Sequence, residues 1–322
     1  MSVVLAKNHV PEDQLMRDVY CRTLIDLARQ DSRIVVLDAD LMKSIGTIPF
    51  QEAFPDRTFN CGVQEANMIG IAAGLSATGK IPFAHSFGTF ATRRCFDQAF
   101  LSAAYARLNV RIVGSDPGIT AAFNGGTHMP LEDMGIMRHI PGITIIEPVD
   151  SAMLQYVLKE TVNPYGIYYI RLLRRNAVKI YDEGSSFEIG KAVPLREGND
   201  VAIFATGIMV AEALQAAEML AGEGISAAVI NVFTLKPIDR EAIIHYAEKT
   251  GAVVTAENHN IIGGLGSAVA EVLAEHLPTP LERVGCRDHF GEVGPVEYLK
   301  QKFQMTAADI CKSVHLVLQR KS

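Results

Sequence analysis

A single carboxylate at the head of a small-residue helix is the first place in this sequence where chemistry could be done. In NCGVQEANM, Asn60 to Met68, Glu65 opens a run from Gln64 to Thr78 that reads as a helix, with Gly70 and Gly74 four residues apart and alanines between them. Each helical glycine costs about 1 kcal/mol relative to alanine, so the pair predicts close approach of another backbone. Packing that tight would strip water from Glu65. Burial disfavours the charged carboxylate, and a protonated or proton-sharing glutamate can hydrogen-bond a heterocyclic nitrogen. A plainer reading stays open: an acid in the first turn offsets the helix macrodipole.

The elements that would hold such a group alternate along the chain. From Gln14 to about Ile180 the sequence reads as MRDVYCRTLIDLAR (helix), IVVLDAD (strand), a short strand from Arg57 to Asn60, the Glu65 helix, IPFAHSF (strand), a helix from Cys95 to Tyr105, and VRIVGS (strand). The strands are apolar on both faces, as a parallel sheet covered by helices requires. The composition turns polar at YDEGSSFE, and a second alternation follows: VAIFATG, AEALQAAEML, SAAVINV, REAIIHYAEK, GAVVTAE and GGLGSAVAEVLAEHL. Two doubly wound α/β domains are expected, 1–187 and 188–322. GGLGSA superficially resembles a dinucleotide fingerprint, but the ENHNII loop before it is too long for the tight turn, and no P-loop is present.

Composition narrows the function classes. The chain has 322 residues, 48% hydrophobic and 20% charged, with a formal net charge of −6, and its longest basic run is the Arg174 and Arg175 pair. Nucleic acid is therefore not an expected partner. MSVVLAKNHVPEDQL lacks a basic lead and a long apolar core, and no stretch nears eighteen apolar residues, so a cytoplasmic protein without membrane contact is expected. Cys21, Cys61, Cys95, Cys286 and Cys311 form no C-x-x-C pair and read as reduced core thiols, with Cys61 the one expected near chemistry. Glu257, Asn258 and His259 give no closed ligand set, and no metal site is expected on this chain.

Four stretches, FNCGVQEANMIGIAAGLSATGK, HSFGTFATRRCFDQAF, FNGGTHMPLEDMGIMR and ENHNIIGGLGSAVAE, occur in an order that resembles the C-terminal half of transketolase. The resemblance extends from MRDVYCRTL to HFGEVGPVEYLKQKFQMTAADI and implies a pyrimidine-binding domain followed by a transketolase C-terminal domain. It implies thiamine diphosphate as cofactor, which carries a two-carbon ketol unit from a ketose phosphate to an aldose phosphate. The protein must then bind, orient and tune that cofactor. By this resemblance Glu65 bonds the pyrimidine nitrogen, Phe90 stacks on the ring, and Phe96 is a second wall. Arg93 stands where many transketolases carry an aromatic, a departure that looks more like deoxyxylulose phosphate synthase. His128 matches the histidine that exchanges protons with substrate hydroxyls, a task suited to its near-neutral pKa. Each phenylalanine could instead be core, and His128 a loop cap.

The same resemblance puts Arg17, Ser44 and Arg174 at phosphate-contacting positions, where a guanidinium fork suits the anion. Asp116 replaces a common phosphate-binding histidine, and Asn124 a common aspartate that bonds a substrate hydroxyl. Loop Glu257 to His259 is implied to lie at a domain contact. No G-D-G motif is present for the diphosphate and Mg2+. The chain therefore resembles the C-terminal subunit of a split transketolase, expected to need an N-terminal subunit, to form a heterotetramer, and to place the cofactor in the seam with Mg2+ held mainly by the partner. Alternatives are the beta subunit of a 2-oxo acid dehydrogenase, a synthase subunit condensing pyruvate with an aldose phosphate, and a noncatalytic module that keeps the fold.

Overall fold

The computed structural model describes residues 2–321. Two sheets, each flanked by helices, confirm a two-domain α/β fold. The first contains β1 (Ile34–Asp38), β2 (Thr58–Asn60), β3 (Ile81–Phe87), β4 (Arg111–Ser115), β5 (Thr144–Ile146) and β6 (Tyr168–Leu172). The second contains β7 (Val193–Arg196), β8 (Val201–Ala205), β9 (Ala227–Asn231), β11 (Val253–Asn260) and β12 (Leu281–Cys286), while β10 (Thr234–Lys236) leaves it to join the first.

The strand order of the first sheet is β10-β5-β6-β4-β3-β1-β2, parallel except for β10 at its edge. The second runs β12-β11-β8-β9-β7, parallel except for β7. Every residue of β1, β3, β4, β6, β8 and β9 is buried, and their polar residues, among them His85, Arg111 and Arg171, are buried along with the apolar ones. Among the described residues no helix is long and apolar enough to cross a membrane.

Three local expectations need correction. Among the described residues an added Cβ at Gly70 or Gly74 would meet nothing within 4 Å, so no described backbone packs there and the face they form is open. The segment from Cys95 to Tyr105 is not one α-helix: Thr92, at φ −122° and ψ −81°, precedes a 3-10 turn over Arg93–Cys95, followed by Phe96–Gln98 and a π-helical Ala99–Tyr105. ENHN is not loop but the end of β11, whose strand persists to Asn260.

That strand end meets the first domain at a buried ion cluster. Arg171 on β6 is fully buried and bonds Asp133 through Nε and Nη2 (2.7 and 2.9 Å), Glu147 through Nη1 (2.8 Å), and the carbonyls of Pro130 and Asn258 (3.2 and 3.0 Å). Tyr169 adds a hydrogen bond to Asp133 (2.6 Å), and Thr206 from the second domain donates to Glu147 (3.0 Å). Glu257 accepts from the backbone N–H groups of Leu265 and Gly266 (2.7 and 2.8 Å), and burial pushes its carboxyl up to about 7. His259 accepts from the Gly135 N–H (3.2 Å), and burial, opposed by nearby Asp133, pushes it down to about 4. The Glu257 to His259 segment thus serves the domain contact.

Replacing Arg171 with Met leaves Asp133 and Glu147 buried without their cation and is expected to cost about 3–5 kcal/mol in a denaturant titration; a loss under about 1 kcal/mol would show that the cluster does not hold the domains. His259 is held neutral in the fold, so its contribution is fully present above pH 6.5 and is lost as pH falls toward about 4. Relative to His259→Gln, the wild type should lose roughly 3 kcal/mol of stability across that window, and parallel curves would refute the assignment.

Candidate active site

Parallel strands aim their carboxyl ends in one direction, and the loops that leave those ends form the crevice where α/β proteins bind ligands. Phe87 ends β3, Ser115 ends β4 and Leu172 ends β6, so the residues that follow converge although they are far apart in sequence. Ser44 lies beyond β1 and Glu65 beyond β2, on the same edge.

Glu65 is only 1% exposed, as expected of an acid held dry. It heads the Glu65–Ala77 helix without capping it, and its two oxygens are turned elsewhere. Ser86 Oγ donates to Oε1 (2.9 Å), and Arg94 Nη1 donates to Oε2 (2.8 Å). The guanidinium of Arg94 also lies over the Phe90 ring, its central carbon 3.8 Å from the centroid. A half-buried Phe90 then meets His128 edge-on at 5.0 Å and Phe87 at 6.2 Å. The Nδ1 of His128 is 2.9 Å from the Thr127 hydroxyl.

From Phe87 the contacts continue to a second set of groups. Arg174 lies 5.3 Å from the Phe87 ring centroid, pairs with Asp116 (3.0 Å) and reaches the Ser44 carbonyl (3.5 Å). Arg17 Nη1 donates to that same carbonyl (2.8 Å), while its Nε, though buried, has no hydrogen-bond partner among the described residues and lies 3.5 Å from an Asp18 oxygen. Asp116 is 1% exposed; burial raises its carboxyl above the usual range, against the pull of Arg174. The acid therefore does not stand alone facing a ligand but is matched to a cation.

Two glycines make the loop that carries these groups possible. An added Cβ at Gly118, where φ is +49°, would fall 2.1 Å from Asn258 Oδ1, and one at Gly126 would fall 2.2 Å from the Gly291 carbonyl. Asn258 in turn bonds the Ile119 N–H and the Pro117 carbonyl (2.9 and 2.8 Å), so the second domain shapes the loop between Asp116 and His128.

Other expected site residues lie outside this constellation. Arg93 is exposed and pairs with Glu132 (2.7 Å), Phe96 packs on Phe100 (6.1 Å), and Asn124 is exposed on the loop before His128. The break at Thr92 explains the exchange of arginines: it rotates the following turn so that Arg94, not Arg93, folds back on Phe90. Arg94 and Ser86 were missed by sequence reasoning; an arginine four residues after the aromatic was the available signal for the first. Cys95, beside Arg94, also lies nearer the site than expected, its Sγ 3.3 Å from the Phe90 carbonyl and its thiol pushed up to about 12 by burial. His85 is fully buried, 2.9 Å from Asp38 and within 3.5 Å of Tyr20, in the core beneath the crevice. Among the described residues no group of three or more His, Cys, Asp or Glu is placed to hold a metal ion.

Comparison with known proteins identifies the family. The family model described as the transketolase pyrimidine binding domain matches residues 12–179, and that described as the transketolase C-terminal domain matches residues 190–310. The chain belongs to the transketolase family. It is 59% identical over 311 residues to the 6-deoxy-6-sulfo-D-fructose transketolase subunit SqwH of Clostridium sp. (strain MSTE9), covering 97% of each chain. A solved structure described as a split gene transketolase, inactive beta4 tetramer, superposes with a TM-score of 0.89 at 44% identity, covering 96% of this chain and 99% of that one. The 1-deoxy-D-xylulose-5-phosphate synthase of Heliobacterium modesticaldum is 36% identical over 297 residues, 91% of this chain but 46% of that protein. The chain is thus a transferase subunit of split transketolase type.

Gly118→Ala should cost roughly 1–3 kcal/mol, because the Cβ collides with Asn258 as well as straining the backbone. Gly62→Ala is the matched control, at φ +69° with nothing within 4 Å of the added atom. Equal thermal shifts in the two variants would mean that the contact with Asn258 does not constrain the loop.

Proposed function

We propose that this chain is the C-terminal subunit of a two-subunit transketolase, with a domain junction near residue 187. Together with an N-terminal subunit it transfers a two-carbon ketol unit from a ketose phosphate to an aldose phosphate, in the cytoplasm. The observation that carries this reading is the pairing of a buried Glu65 with the face of Phe90. The two already hold a flat, cationic N–H donor, the Arg94 guanidinium, and an aminopyrimidine that takes a proton on its ring nitrogen offers the same flat shape, charge and N–H. The residues present therefore fit thiamine diphosphate.

When bound, that cofactor supplies a nucleophilic carbon and an electron sink for cleavage and formation of the carbon–carbon bond. In this reading a proton-sharing Glu65 would donate its hydrogen bond to the pyrimidine ring nitrogen and favour the imino tautomer, whose exocyclic nitrogen can take a proton. Phe90 fixes the ring plane by stacking. His128, against Phe90 and Phe87, moves protons to and from substrate hydroxyls. Arg17, Arg174 and the Ser44 segment hold the anionic end of the sugar, with Asp116 setting the charge there and Asn124 at the rim. The diphosphate and Mg2+ are held by the partner, and the open face at Gly70 and Gly74 is where another subunit packs, in a heterotetramer. The relative described as an inactive tetramer of beta chains supports a need for a second kind of subunit.

A second reading of the substrate rests on Asp116. Its ion pair with Arg174 leaves the anion pocket with less net positive charge than two free arginines would. A sulfonate carries one negative charge where a phosphate carries up to two, and the relative at 59% identity is described as acting on 6-deoxy-6-sulfo-D-fructose. An anionic ketose bearing a sulfonate is therefore an alternative donor.

The test is ketol transfer with Mg2+ and thiamine diphosphate, comparing this chain alone with its mixture with an N-terminal transketolase subunit, on xylulose phosphate and on a sulfo-ketose. Activity is expected only in the mixture, and Glu65→Gln should lower it at least about a thousandfold with assembly intact, a loss in the range of a removed catalytic electrostatic contact. Turnover by Glu65→Gln at the wild-type rate would sink the assignment.

A further inference from the structure

The groups that fit the cofactor are not free. Arg94 takes both at once: one guanidinium nitrogen bonds Glu65 Oε2 at 2.8 Å, and the guanidinium plane lies over Phe90 at 3.8 Å. Glu65 Oε1 is already engaged by Ser86. An aminopyrimidine stacked on Phe90 and bonded to Glu65 needs the same ring face and the same carboxylate edge. The guanidinium and the ring cannot both be there.

We propose that Arg94 is a built-in stand-in for the cofactor's aminopyrimidine, occupying its place in the free subunit and swinging out when the cofactor enters. This rests on the function proposed above. The physical need for a stand-in comes from Glu65, which is 1% exposed and would otherwise be a buried carboxylate with only a serine hydroxyl as partner. A buried charge left unpaired is costly, whereas a guanidinium both neutralises it and covers the aromatic face. A free subunit awaiting its partner would in this way keep Glu65 and Phe90 apart from water without any ligand.

The means of release are also present. The Arg94 side chain is 45% exposed, so its departure leads into solvent, and its side chain makes no hydrogen bond other than that to Glu65 among the described residues. The backbone on either side is anchored, by buried Cys95 bonding the Phe90 carbonyl and by buried Thr92 bonding the Gly88 carbonyl (2.7 Å). Rotation of one side chain therefore opens the site while the turn stays in place. The consequence is a penalty on cofactor affinity, because only the fraction of subunits with Arg94 displaced is competent to bind.

The experiment measures thiamine diphosphate binding by isothermal titration calorimetry, with Mg2+ present, to this chain assembled with an N-terminal transketolase subunit. Wild type is compared with Arg94→Met and with Arg94→Gln, which keeps a hydrogen-bond donor but neither charge nor full stack. Thermal unfolding of each free subunit is measured in parallel. Arg94→Met is expected to bind the cofactor about tenfold more tightly, with Arg94→Gln between it and wild type. The free Arg94→Met subunit should melt at lower temperature, and adding Glu65→Gln should recover part of that loss. Unchanged or weaker binding in both variants beside a wild type that binds would overturn the stand-in and leave the proposed function intact. An assembled wild type that binds no cofactor would overturn both.

Discussion

Arg171 is the constraint on which the geometry of the crevice depends. A guanidinium with no exposed surface must have its charge and all its donors met inside the protein. It finds them in Asp133 and Glu147 of the first domain and in the Asn258 carbonyl of the second. Because these partners lie on different elements, satisfying one cation fixes the end of β11 against the loops beyond β4 and β5. Asn258, held in that position, grips Pro117 and Ile119, and the loop leading to His128 takes its path from there. Packing of the two domains and the shape of the crevice are thus one problem.

Charge in the crevice is arranged by the same logic on a smaller scale. Each of its two buried acids has an arginine: Glu65 has Arg94, and Asp116 has Arg174. The pairs differ in what surrounds them. Arg174 is itself largely buried, at 14% side-chain exposure, and its partner is fixed by the end of β4; Arg94 is half in solvent and attached at a short turn. The Asp116–Arg174 pair is enclosed, whereas the Glu65–Arg94 pair borders solvent and, as proposed above, can open. An acid that must serve a ligand needs a partner that can leave.

Legibility in the sequence tracked how local each determinant was. Strands β1, β3, β4, β8, β9 and β11 were visible because burial on both faces leaves a largely apolar run, and β3 falls where the pattern placed it, whereas β5, β6, β7, β10 and β12 were not singled out. Glu65, Phe90 and His128 were legible because they sit in short motifs, and the structure brings them into one chain of contacts. Phe96 and Arg93 were proposed by resemblance, which aligns positions along the chain but does not see the break at Thr92 that turns the following residues. The glycines of the Glu65 helix promised close packing, yet among the described residues nothing packs against them.

The sequence by itself determined the α/β class, the family, and the acid, aromatic and histidine that the structure brings together, since each depends on residue type and short spacing. Tertiary structure alone decided which arginine faces Glu65, that Asp116 is neutralised by Arg174, and that β10 crosses to the first sheet. These outcomes rest on partners remote in sequence. Pairing of a buried charge is chosen by what the fold brings within about 3 Å, a distance that no periodicity encodes.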